Sequence, residues 1–165
     1  MNQTVETVFP DIAIPSPTYS VAQAPDKDIY IGTESNGLYI YSENWKLKKH
    51  VPIDGIIATI LPDNNGDIWL GLDETGICLF NKNKQTFTWL HKDNTNLNNN
   101  SIRTFVSYGD SSILVGTFRG LNILNKKELT ITPANINIAG KGGLSHYSIP
   151  VSYTHLRAHE TLRHL

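Results

Sequence analysis

With 165 residues, 39% of them hydrophobic and 18% charged, the chain is long enough to bury a core and is composed like a globular protein rather than a disordered one. Its formal charge of −1, with 14 basic residues scattered along it, excludes the electrostatic footprint of a nucleic-acid or membrane-surface binder. A single cysteine, Cys78, excludes an intrachain disulfide and argues against a zinc cluster; the longest apolar run is too short to cross a bilayer, and residues 1–6 lack the pattern of a secretory leader.

In chain order, residues 4–9 are predicted as a strand, and Pro10, Pro15 and Pro17 then block regular pairing, so residues 1–18 read as the tail of a preceding unit and a connector. A first repeat follows over residues 19–53. Strands are predicted at 19–23, 29–33, 37–41 and 47–51, with Pro25-Asp26-Lys27-Asp28 as the first turn. The second repeat, 54–99, holds predicted strands at 56–61, from Ile68, from Gly76 and at 87–91, with residues 62–66 as a turn. Residues 93–100, Asp-Asn-Thr-Asn-Leu-Asn-Asn-Asn, are polar and tolerant of left-handed backbone, and read as a solvated surface connector. The third repeat, 100–139, takes predicted strands at 102–107, 113–117, 120–124 and 129–132, and a fourth is expected to open at 144–149 from the pattern Leu-Ser-His-Tyr-Ser-Ile.

The repeats are anchored by glycines. Gly32, Gly71 and Gly116 fall at intervals of 39 and 45 residues, the period of four-stranded propeller blades. Apolar residues alternate at Leu38, Ile40 and at Ile77, Leu79, which predicts half-buried strands. A glycine before the second strand of each hairpin supplies a positive φ, and a glycine inside the first strand lets another part of the chain approach closely. The predicted fold is all-β: an incomplete β-propeller of about three four-stranded blades plus partial neighbours. Such a part-ring leaves blade faces uncovered and is expected to be poorly stable alone.

Residues 65–71, Asn-Gly-Asp-Ile-Trp-Leu-Gly, with 31–38 and 115–121 and the Ser101-Ile102-Arg103 start, resemble the two-component regulator propeller repeat. The copies depart from that pattern: Leu72 replaces a preferred Thr, Tyr30 and Leu114 replace a preferred Trp, and the third copy lacks the Asn-Gly turn. The resemblance covers roughly residues 19–149. It implies part of the extracytoplasmic, periplasmic-side sensor of a hybrid histidine kinase, binding an oligosaccharide or other small molecule and completed by further blades of the same ring. The kinase and a membrane span are absent from these residues. A propeller lyase or glycosidase, or an interaction scaffold, are the alternatives.

Residues 151–161 resemble one reading frame of a sequencing-library adapter, so 150–165 are set aside as an artefactual tail. The His155, His159 and Glu160 grouping there is accordingly not read as a metal site; its spacing is not His-Glu-x-x-His either. Residues 63–69 partly match the Asp-box turn of sialidase-type propellers, a turn-stabilising device. Glycoside cleavage needs paired acids or a tyrosine nucleophile at one site, whereas Glu34 falls in the hairpin turn of one blade and Asp73 and Glu74 in that of another. No catalytic residue, cofactor or metal is expected. For ligand binding the candidates are Arg103 near the start of an innermost strand, Arg119 at a hairpin tip, and Trp69 as a stacking surface, with core packing the competing role for Trp69.

Overall fold

The structure, a computed structural model, describes residues 12–134. The predicted strand at 4–9, the fourth repeat at 144–149 and the tail at 150–165 lie outside the described residues. Every regular element among the described residues is a strand, and no helix is long and apolar enough to cross a membrane.

Twelve strands form three antiparallel four-stranded sheets, each in sequence order. The first blade is β1 (Thr18–Gln23), β2 (Ile29–Thr33), β3 (Leu38–Tyr41) and β4 (Leu47–Val51). The second is β5 (Ile57–Pro62), β6 (Asp67–Leu72), β7 (Gly76–Asn81) and β8 (Thr86–Leu90). The third is β9 (Ile102–Tyr108), β10 (Ser112–Thr117), β11 (Gly120–Asn125) and β12 (Ile131–Pro133). All twelve expected strands are present, with ends displaced by a residue or two. Pro62 closes β5 opposite Ile68 instead of sitting in the turn, which an edge strand permits because its outward side needs no amide donor.

The blades fan out from their first strands: β5 packs on β1, and β9 packs on β5. Gly71 shows why the repeat needs its glycine. A Cβ there would lie 2.6 Å from Thr59 Cγ2 in the same blade and 3.0 Å from Ile102 Cβ in the next. Gly32 meets the equivalent pair, Ser20 and Ile57. Each glycine is the socket into which the following blade seats a β-branched residue. The hairpin glycines Gly37, Gly76 and Gly120 all have positive φ, as the short turns require.

Burial departs from the half-buried expectation. All five residues of β2 and all four of β3 are buried. Their alternate side chains serve two different cores: Tyr30, Leu38 and Ile40 face the second blade, whereas Ile29, Ile31, Tyr39 and Tyr41 are covered by Ile12, Ile14 and Trp45. Stacked blades bury both sheet faces, so alternation here separates two seams instead of core from water.

The two seams are closed differently. Five residues, 52–56, join the first blade to the second, but eleven, 91–101, join the second to the third. The longer connector is no mere solvated loop: Leu97 is only 4% exposed within the second seam. Beside it Asn98 Oδ1 accepts from Thr117 Oγ1 at 2.8 Å and from Asn122 Nδ2 at 2.9 Å. The asparagine-rich composition reflects turns and this network, which a reading of local polarity misses.

Candidate functional site

The two ends of the blade stack have different jobs. At one end, the β1–β2 and β5–β6 turns are tied to the next blade by ion pairs in equivalent positions. Lys82 of the β7–β8 turn pairs with Asp26, and Lys126 of the β11–β12 turn reaches Asp63 Oδ2 at 2.9 Å. Lys82 Nζ also donates to the Tyr30 hydroxyl at 3.3 Å. Its hydrogen bond holds the Asp26 carboxyl below the usual aspartate range, against an opposing push from partial burial. At this end, then, ion pairs join each blade to the next.

At the opposite end the start of each innermost strand meets the tip of its own blade's middle hairpin. The contact recurs: Glu34 N–H donates to Pro17 O at 2.9 Å, Asp73 N–H to Ile56 O at 3.0 Å, and Phe118 N–H to Ser101 O at 2.9 Å. Immediately after it, each innermost strand carries a register irregularity. Pairing skips from Thr18 to Ser20, from Ile57 to Thr59 and from Ile102 to Thr104. The bulged residues are Tyr19, Ala58 and Arg103, one per blade at one structural position. A bulge leaves its residue out of the ladder and re-aims its side chain, a device common beside binding sites.

Arg103 is the best-defined member of this rim. Its Nη1 donates to Asp73 Oδ2 of the neighbouring blade at 3.1 Å, and its guanidinium carbon stands 5.8 Å from the Phe118 ring centroid. Asp73 Oδ1 is buried without a hydrogen-bond partner among the described residues. One N–H of a planar five-donor fork is thus committed, and the fork is held by a carboxylate and an aromatic face. Such a group binds carboxylate, phosphate or hydroxyl oxygens. Arg119 lies on the same rim with its side chain exposed, while its carbonyl accepts from Asn98 Nδ2 at 3.4 Å.

Trp69 lies elsewhere. It is 1% exposed, packed with Ile77, Ile102, Ile113 and Val115 between the second and third blades, and its Nε1 has no hydrogen-bond partner among the described residues. Register explains it: Tyr30 sits opposite Ile40, Trp69 opposite Leu79 and Leu114 opposite Ile123, so the aromatic position of the repeat points at the following blade. The competing core role describes Trp69, and no ligand reaches it in this arrangement. Sequence reasoning had no means of placing Tyr19, Ala58 and Asp73 on one rim with Arg103, because bulges and seam contacts leave no local period.

No protein-family model and no curated protein sequence matches the chain. Among solved structures it is similar to the extracellular domain of a protein described as a hybrid two-component system of B. thetaiotaomicron, at 20% identity and a TM-score of 0.61 over 76% of this chain and 19% of that one. A second such domain from the same organism aligns at 18% identity and a TM-score of 0.57, over 73% and 18% of the two chains. PorZ, a surface component of the type-IX secretion system of Porphyromonas gingivalis, aligns at 16% identity and a TM-score of 0.59, over 73% and 19%. The chain therefore spans about a fifth of the length of each of these proteins. The shared feature is the fold, an all-β propeller of which three blades are described.

Proposed function

We propose that these blades belong to the extracytoplasmic ligand-sensing propeller of a two-component hybrid sensor, and that the ligand, an oligosaccharide or another small polar molecule, is held on the rim carrying Tyr19, Ala58 and Arg103. Binding there changes the packing of the ring, and the change passes to a histidine kinase elsewhere in the protein. The observation that carries the reading is the bulge repeated at one position in all three blades, with an arginine fork presented at the third. Likeness in fold to extracellular domains of two-component systems supports the sensor role. The acids argue for binding over glycoside cleavage. Asp73 is engaged by Arg103, and Glu34 and Glu74 belong to the hairpins of different blades, so these three acids do not supply a pair of free carboxylates at one site.

Isothermal titration of a panel of purified oligosaccharides tests this on the product of the complete gene and on its Arg103→Ala variant. One ligand class should bind, and Arg103→Ala should weaken it at least about tenfold, which corresponds to about 1.4 kcal/mol. Equal affinity of Arg103→Ala, or no binding across the panel, overturns the assignment.

A further inference from the structure

The seam between the first and second blades is open at its outer edge, and the opening has the make-up of a second binding site. Blades that fan out from a common centre separate towards their fourth strands, so each seam ends in a wedge. In the second seam the wedge is filled: the eleven-residue connector inserts Leu97, and the β12 residue opposite Leu124 is Ile131, buried. The five-residue connector of the first seam also buries a residue, Ile53, which is 6% exposed within that core, yet the outer strand beyond it stays uncovered. On the β8 face of the first seam, Phe87, opposite Phe80, holds the position that Ile131 holds in the third blade, and Trp89, opposite Cys78, holds that of the exposed Pro133. Phe87 and Trp89 remain 45% and 36% exposed.

The resulting cleft has a volume of about 600 Å³, within the range of small-ligand sites. One wall is the Phe87 and Trp89 side chains, two residues apart on β8 and therefore on one face. Phe87 is fixed by stacking on Phe80, with ring centroids 5.0 Å apart at 24°. Pro52, Ile53 and Asp54 of the connector make the facing wall, and Thr75 and His91 close the end. Among the described residues His91 Nδ1 makes no hydrogen bond and lies 3.7 Å from the Asp93 carboxylate. The cleft thus offers two aromatic faces, a carboxylate, a hydroxyl and an imidazole. None of its lining residues is a lysine or arginine; Lys49 Nζ stands 5.9 Å from the centroid of Phe80, the ring on which Phe87 stacks.

We propose that this wedge binds one neutral sugar ring of an oligosaccharide. A pyranose has a flat C–H face that stacks on aromatic rings and a hydroxyl edge that needs mixed donors and acceptors, which Asp54, Thr75 and His91 supply. A uronate or sulfated sugar would bring a negative charge to Asp54 with no lining cation to offset it. The site is separate from the Arg103 rim and does not depend on the signalling role.

The test is a titration of the product of the complete gene with maltotriose, cellotriose, xylotriose and mannotriose, and with a galacturonate trisaccharide, followed by tryptophan fluorescence and calorimetry. At least one neutral trisaccharide should bind and shift emission to the blue. Trp89→Ala should weaken it at least tenfold, Trp89→Phe should largely restore it, and Arg103→Ala should leave it unchanged. Circular dichroism of Trp89→Ala should match the parent, since the ring is exposed. Binding by none of the neutral sugars, equal binding by Trp89→Ala, or preference for the galacturonate overturns the proposal. So does concentration-dependent dimerisation that Trp89→Ala abolishes, which would make a second copy the occupant.

Discussion

Replacing Gly71 with alanine tests the blade geometry where it is tightest. The added Cβ would stand 2.6 Å from Thr59 Cγ2 and 3.0 Å from Ile102 Cβ, and nearer still to Ile102 Cγ2. Gly71 has no positive φ, so the cost is steric and not conformational. Overpacking of this kind costs about 1–3 kcal/mol. Losing glycine's freedom in the unfolded chain returns about 0.4–1 kcal/mol. The net expectation is a destabilisation of about 1–2 kcal/mol, or roughly 3–8 °C in Tm for a unit of this size. Urea unfolding followed by the emission of Trp69, which lies in the same seam, measures it. Two backgrounds make the reasoning specific, since Ile102→Leu and Thr59→Ser each remove the γ-methyl that the new Cβ meets. In the combined background the cost of Gly71→Ala should fall below about 0.5 kcal/mol, a coupling readable by a double-mutant cycle. A neutral Gly71→Ala, or an equal cost in both backgrounds, refutes the socket role.

Two further outcomes follow from buried and paired groups. Burial pushes the Cys78 thiol up to about 12, so the folded chain at pH 8 should resist a disulfide reagent that labels it at once in concentrated urea; stoichiometric labelling within minutes would mean that the first seam is open at Cys78. The Asp26 carboxyl lies below its unfolded value of 3.8, so the stability it lends is present above that pH and lost as pH falls through the folded value. Partial burial pulls Lys82 down, but its hydrogen bonds to Asp26 and Tyr30 outweigh that and raise it above 10.5, so its contribution is present below 10.5 and lost as pH rises through the folded value. Lys82→Met should flatten both limbs of the stability–pH curve while costing less than about 1 kcal/mol at pH 7, as the pair is partly exposed; an unchanged acid limb in urea titrations refutes the clasp.

The blade repeat was legible because its signals are local. Glycine at 32, 71 and 116, a positive-φ glycine before each third strand, and alternation in between are all dictated within a single hairpin. What sequence reading missed depends on how one blade sits against the next. Core packing was the stronger of the two roles read for Trp69, but nothing in β6 itself says that its face meets Ile102. The 93–100 stretch looked solvated because one leucine among asparagines carries the seam. Arg103 and Arg119 were found on the rim, but their neighbours Tyr19 and Ala58 were not, since a bulge is visible only once two strands are in register.

Those bulges also separate two kinds of selection. A residue outside the ladder fills no socket, so tyrosine, alanine and arginine are accommodated there by one backbone. Gly32 and Gly71 have no such latitude. Recognition can therefore drift from blade to blade with little effect on the margin of stability that keeps the ring folded, and duplicated blades can diversify in what they contact while remaining interchangeable in how they stack.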